Sequence, residues 1–405
     1  MKKNVIYICL AWMLAWVSAS CSEDDKYIPT PPEVSIINLS GKNSCLPGDI
    51  INLKVKLSSP LPTTFYWLVD GQEVSKDSTY AFSSIETGVF KVALTATNAD
   101  GTDTDTLSIN VHNKTTLSIE SLNGFLAVPQ GGILALKARI NTPLESTFWW
   151  SVDGEKVSSD TVYYFTQEEI GTKEVVLNVS NVDEEITEKV AVEIYDKTEF
   201  RFPGILNWTG QGENYSALTI QWVTGEDLLN PADNEVFYRA WGYRWEKNAD
   251  VMGIDMLKAV AKDDPRLYLI LSEQWGGVTV KGFGYDGNND GKIDIKNNSL
   301  HLTQADFVDG VYWQKESDDI DGMKTADAGD YWMGGWMEAY ASYWLGDGDV
   351  VPATDEFDYA PVVASSRRLS HNSWDAWTFS TINAEMANTL PMPRLIKPAA
   401  PNTKR

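Results

Sequence analysis

The chain reads as a mainly β, multidomain protein: two β-sandwiches followed by a β-rich α+β C-terminal domain. Three observations predict this. A block of sequence recurs at a fixed offset of 83 residues, its copies alternate apolar and polar residues at strand period, and the tryptophans then crowd into the C-terminal half.

In the repeat, Phe65-Tyr66-Trp67-Leu68-Val69-Asp70-Gly71 returns as Phe148-Trp149-Trp150-Ser151-Val152-Asp153-Gly154. Val74, Asp77, Tyr80, Phe82 and Gly88 return as Val157, Asp160, Tyr163, Phe165 and Gly171. That period suits one small sandwich, which places the two copies at 33–113 and 114–197. Residues 51–57 and 89–96 alternate as half-buried strands do, and Asp70-Gly71 and Asp153-Gly154 are hairpin turn pairs. Trp67 and Trp150, just before those turns, are expected between the sheets. The pattern Trp-x-Val-Asp-Gly followed by Gly-x-x-x-Val resembles PKD-like and other bacterial Ig-like modules, which implies a spacer role.

Ahead of the repeats, Lys2 and Lys3 precede an apolar run of 13 residues, Val5 to Val17, and the small residues Ser18-Ala19-Ser20. This is a signal peptide, 1–20, too short to span a bilayer. Cys21 follows, then Ser22-Glu23-Asp24-Asp25. The junction resembles the lipobox of bacterial lipoproteins, with Ser18 departing from the usual Leu or Val. The resemblance implies a diacylated Cys21, and two acyl chains anchor lastingly where one does not. The acidic run resembles the export signal of Bacteroidota lipoproteins, which implies an outer-membrane protein facing outward from the cell. Pro29, Pro31 and Pro32 make 21–32 an extended tether.

A net charge of -24, about -26 once Lys2 and Lys3 leave with the signal, excludes a basic stripe. Nucleic acid is not an expected partner, and anionic ligands are disfavoured. Of three cysteines only Cys45 remains after Cys9 and Cys21 are assigned, so no disulfide framework or thiolate metal cluster is expected.

Residues 198–405 hold 11 of the 16 tryptophans. Strands are predicted at 217–224, 236–245, 267–273, 278–285 and 376–380, and one amphipathic helix at 251–262, stopped by Asp263-Asp264-Pro265. About half of these rings are expected to fill the core and the rest to grip a flat, partly apolar ligand. Trp241, Tyr243 and Trp245 alternate on one strand face. Trp332, Trp336, Tyr340 and Trp344 form an aromatic wall whether the segment is helical or extended. Trp275, Arg368, His371, Trp374, Asp375 and Trp377 complete the candidate ligand-binding set.

Asp286, Asn288, Asp290 and Asp294 fall at positions 1, 3, 5 and 9 of a calcium loop, with Gly291 at position 6; Asn297 stands where the bidentate glutamate belongs. The alternative is a plain Asn/Asp/Gly hairpin loop. No Gly-x-Ser-x-Gly elbow is present, and His112, His301 and His371 share no ligand spacing. No catalytic constellation emerges, and the chain is read as a binding protein, not an enzyme; enzyme action such as glycan cleavage is the third function class.

The layout of tandem Ig-like modules and an aromatic head resembles glycan-capture lipoproteins of starch-utilisation-type systems. Tyr238-Arg-Ala-Trp241-Gly-Tyr243-Arg-Trp245, Asp255-Met-Leu257-Lys-Ala259, Asp264-Pro265-Arg-Leu267, Gly282-Phe-Gly284-Tyr-Asp286 and Ser373-Trp374-Asp375-Ala-Trp377 look like a domain of assorted bacterial surface proteins. Behind Ig-like modules, that domain is similar to the vitamin B12 (cobalamin)-binding surface lipoproteins of gut Bacteroidota. This second resemblance covers about half the chain and is preferred. It implies cobalamin as ligand, with His371 within conceivable reach of cobalt, and a TonB-dependent outer-membrane transporter as partner. A corrin disc edged by neutral amides calls for aromatic walls and polar partners without basic charge.

Overall fold

The computed structural model describes residues 28–228, 231–274 and 276–381. The signal peptide, Cys21, Trp275 and the proline-rich tail lie outside these residues. The protein is mainly β and multidomain. Spatial proximity divides it into two compact units, Met1–Thr116 with Ile140–Thr147 and Val179–Ile186, and Leu117–Arg139 with Phe148–Asn178 and Thr187–Arg405.

In the first unit a three-stranded sheet (Glu33–Asn38, Ile51–Ser58, Thr79–Phe82) accompanies a five-stranded one whose long strands are Gly88–Asn98 and Gly101–Val111. Their shared core holds Trp67, Leu53, Phe82, Leu94 and Cys45, all buried. Alternation sends these side chains inward and leaves Asn52, Lys54 and Lys56 in water. The Trp67 indole N–H donates to the Asp77 carbonyl at 2.9 Å, so the largest core residue leaves no polar atom stranded. Asp70 and Gly71 both take positive φ, 50° and 86°, as a two-residue hairpin turn of this hand requires. His112, which ends this module, bonds through Nε2 to Asp183 at 2.8 Å, and Lys42 pairs with the same carboxylate.

The second unit repeats these devices. Trp150 is fully buried and donates to the Asp160 carbonyl at 2.8 Å, and Asp153 and Gly154 take φ of 49° and 85°. A loop of this module, Asn123 to Phe125, packs on the C-terminal region. Arg244 donates to the Asn123 carbonyl at 3.1 Å and lies among the rings of Phe125, Trp208 and Tyr215. Gly124, at φ 78°, is needed there, because a Cβ would come within 2.7 Å of the guanidinium.

The C-terminal region stacks two sheets. Six strands run in the order Trp208–Gly210, Val236–Trp245, Asn214–Val223, Ser373–Ser380, Tyr340–Asp347, Asp358–Tyr359; four run Val311–Trp313, Leu267–Gln274, Gly277–Tyr285, Tyr331–Gly334. Leu218, Ile220, Trp222, Trp241, Phe283 and Phe379 meet between them, joined by Met256, Leu257 and Val260 of the helix Gly253–Asp263. Both outer faces are also covered. Trp374, Ala376 and Trp344 pack on Phe202 and Phe357 behind the larger sheet, and Tyr268 and Ile270 pack on Ile293 and Ile295 behind the smaller. Strand Ser373–Ser380 is therefore buried at every residue, so its polar groups need partners inside the protein.

Asp264 ends the helix at the base of this core, 2% exposed. It accepts from Asn207 Nδ2 at 3.1 Å and Trp241 Nε1 at 2.9 Å, and Arg266 Nε and Nη2 approach at 2.8 and 2.7 Å. Removing one partner of a buried, hydrogen-bonded charge pair costs about 3–5 kcal/mol, whereas a surface pair contributes roughly 0–1 kcal/mol. Asp264→Asn is thus expected to lower the urea midpoint steeply, and Asp309→Asn, which breaks only the exposed Lys262 pair, to leave it within error.

Candidate functional site

A cleft opens beside strand Tyr340–Asp347. Its inner pocket encloses about 260 Å³, walled by Trp336, Tyr340, Tyr343, Tyr359 and Trp377, with the 360–364 segment along one side and Lys281 at its end. Past Trp336 it continues into a polar hollow of about 350 Å³ bounded by Gln274, Gln314 and the 318–321 loop. Gln274 and Gln314 also border an open groove that carries Trp313.

Trp336 divides the two compartments and is held from both sides. Asp321 accepts the main-chain N–H groups of Trp336 and Met337, the latter at 2.9 Å. Gly335 beside them sits at φ 126°, and a Cβ there would collide with Asp321 Oδ1. The Lys281 ammonium lies 4.8 Å from the Trp336 ring centroid and donates to Gln274 Oε1 at 2.7 Å. Burial depresses the Lys281 pKa, with Asp321 partly opposing. Two buried polar atoms of the lining have no hydrogen-bond partner: the Trp377 indole N–H and the Gln314 side-chain carbonyl. One is a donor and the other an acceptor, so the cleft is suited to a ligand carrying both.

Behind the aromatic wall, the Tyr343 ring stacks on Trp377 at 4.3 Å and its hydroxyl donates to Asp375. Asp375 is fully buried, and Arg367 Nη2 lies 3.6 Å from its Oδ1. Burial raises the Asp375 pKa to about 6, against the pull of Arg367 and of the bonds from Tyr343 and Ser373. Asp375 thus sits one layer behind the pocket, where it orients Tyr343.

The structure brings Trp336, Tyr340 and Trp377 together and adds Tyr343, Tyr359, Lys281 and Gln314, which the sequence reading passed over. Trp275 lies outside the described residues. Trp241, Tyr243 and Trp245 do share a face, but it is the inner one: Trp241 and Trp245 are buried, and Tyr243 stacks on Trp245. The expected wall over 331–344 is neither one helix nor one strand, because the chain turns at Gly334-Gly335. Trp332 consequently packs behind the smaller sheet and Trp344 behind the larger. Trp374 is fully buried there as well. Arg368 is exposed and pairs with Asp250 at 2.8 Å. His371 packs edge-on to Tyr215 and accepts the Tyr215 N–H through Nδ1 at 3.3 Å, outside the lining of the cleft. Only the strand's alternation could have separated Trp374 from Trp377, and only if the covered outer face had been known.

No protein family and no curated protein matches the chain. Among solved structures it is similar to the fibronectin(III)-like modules of Clostridium thermocellum CbhA, at 17% identity over 41% of this chain and 94% of that one, TM-score 0.30. The titin I-band fragment I67-I69 aligns at 8% identity over 88% and 99%, TM-score 0.29. The N-terminal four Ig domains of a Dscam1 isoform align at 16% over 40% and 45%, TM-score 0.25.

The Asp375 shift has a sign that can be checked. With its folded-state pKa at about 6 against an ordinary 3.8, the folded protein holds that proton more tightly than the unfolded one. Its contribution is most favourable below the ordinary value and is lost as pH rises through 6. Asp375→Asn removes the term, so the melting temperature of wild type minus that of the variant is expected to fall between pH 4 and pH 6.5; a constant difference would show that Asp375 does not titrate there.

Proposed function

We propose that this is a lipid-anchored, outward-facing capture protein whose C-terminal domain binds a corrinoid, cobalamin above all, for delivery to a TonB-dependent outer-membrane transporter. The observation that carries the reading is the cleft: aromatic walls, an unpartnered donor on Trp377, an unpartnered acceptor on Gln314 and a single ammonium already engaged. A corrin has broad apolar faces and a rim of neutral amides that both donate and accept. It is larger than the inner pocket and rests across Trp336, with rim amides reaching the hollows on either side.

The charges nearby favour a neutral ligand over an anionic one. Asp318, Asp319 and Asp321 line the polar hollow, and Lys281 is their only cationic counterpart in its wall. Binding without turnover accords with the buried, hydrogen-bonded position of Asp375, which is shielded from the pocket by Tyr343. The lipid anchor keeps the protein at the cell surface, where a dilute nutrient is met.

Purified full-length protein mixed with cyanocobalamin at micromolar concentration is expected to elute from a sizing column as a red peak. Trp336→Ala and Tyr340→Ala are each expected to weaken binding by roughly tenfold or more, the loss of about 1–3 kcal/mol for a buried ring contact, with unchanged melting temperature. A colourless peak would end the corrinoid reading; retention on neutral oligosaccharide by the same protein would put a glycan in its place.

A further inference from the structure

The turn from Asp286 to Asp294, which the ligand cleft does not use, joins strand Gly277–Tyr285 to strand Asp294–Lys296. Asp286 is 1% exposed; its carboxylate accepts the N–H of Asp290 at 3.2 Å and of Gly291 at 2.8 Å. Asn288 Oδ1 accepts the Asp290 N–H as well. These bonds alone describe a tight polar turn.

The independent observation comes from another part of the chain. Asp330 is 8% exposed and faces this turn, accepting from the Gly287 N–H, while its Oδ1 has no hydrogen-bond partner. Two glycines allow the close approach: a Cβ on Gly287 would stand 2.4 Å from the Gly329 carbonyl oxygen, and one on Gly329 2.8 Å from the Asn288 Cβ. A buried carboxylate oxygen left unpaired next to further carboxylates is costly unless a cation joins them. Hard oxygen donors that are not arranged as a regular octahedron suit calcium better than magnesium, which demands that geometry.

Two donors expected from the motif are engaged elsewhere. Asn297 donates to the carbonyls of Asp319 and Asp321 and accepts from Ser299 and Leu300, and Asp294 faces His301 at 3.1 Å. We propose that Asp286, Asn288, Asp290 and Asp330 bind a calcium ion, Asp330 replacing from a distant segment the carboxylate that the twelfth loop position lacks. Among the described residues no three Asp, Glu, His or Cys side chains already form a metal-ready group. The exposed Asp290 and the unpaired Asp330 oxygen therefore close on the ion as it binds, and the amide of Asn288 completes the set.

The test is calorimetry and thermal melting on EGTA-treated full-length protein, titrated with calcium and, separately, magnesium. One calcium is expected to bind at roughly millimolar Kd or tighter, the range of extracellular loops, and to raise the melting temperature more than magnesium does. Asp330→Asn is expected to weaken calcium about tenfold or more, and Asn297→Ala to leave its affinity unchanged. Should Asp330→Asn fail to fold, hydrogen exchange on wild type decides its role: calcium is expected to protect both 286–292 and 327–331. No heat and no melting shift at millimolar calcium, an equal effect of magnesium, wild-type affinity in Asp330→Asn, or protection confined to 286–292 would each overturn the proposal.

Discussion

Asp264 is the group on which the C-terminal domain turns. A carboxylate this far from water needs hydrogen-bond donors to converge on it, and here they come from three segments: Asn207 before the first strand of the larger sheet, Trp241 inside that sheet, and Arg266 at the start of the smaller one. The helix Gly253–Asp263 ends at this residue, whose main-chain N–H donates to the Val260 carbonyl. Arg266, held by the same carboxylate, leads directly into the Leu267–Gln274 strand, whose last residue borders the polar hollow. A core of tryptophans contributes a large apolar area; the hydrogen bonds to this buried carboxylate add fixed partners to it.

How much of this could be read from the residues follows from the range of each signal. Asp70-Gly71 and Asp153-Gly154 act over two residues, and the structure shows positive φ at all four. The strands predicted at 217–224, 236–245, 267–273 and 278–285 match observed strands within three residues at each end. The helix is found at Gly253–Asp263, within two residues of expectation. Alternation and helical period are also local. The fate of a tryptophan is not, since it depends on what covers the far side of its sheet. Trp374 and Trp377 lie three residues apart in one strand, yet one is sealed against Phe202 and the other lines the pocket. Tyr359, Gln314 and Lys281 carry no such signal for the converse reason: they come from three segments far apart in sequence, and nothing near any of them announces that the segments meet.

The cleft draws its rigidity and its chemistry from different places. Tyr343 and Trp377 belong to paired strands, and their rings are stacked before any ligand arrives. Trp336 belongs to a loop and is positioned by a carboxylate beneath its main chain and an ammonium near its ring. The cleft therefore has one preformed wall and one wall held by polar contacts, and little of its lining is left to be ordered.

The Trp67 and Trp150 hydrogen bonds to the carbonyls ten residues downstream have a further consequence. Each module satisfies its largest core residue from within, so a duplicated copy brings that anchor with it. Gene duplication can then add whole modules without any redesign of this anchor, so the number of sandwiches becomes a quantity that evolution adjusts independently of the C-terminal region.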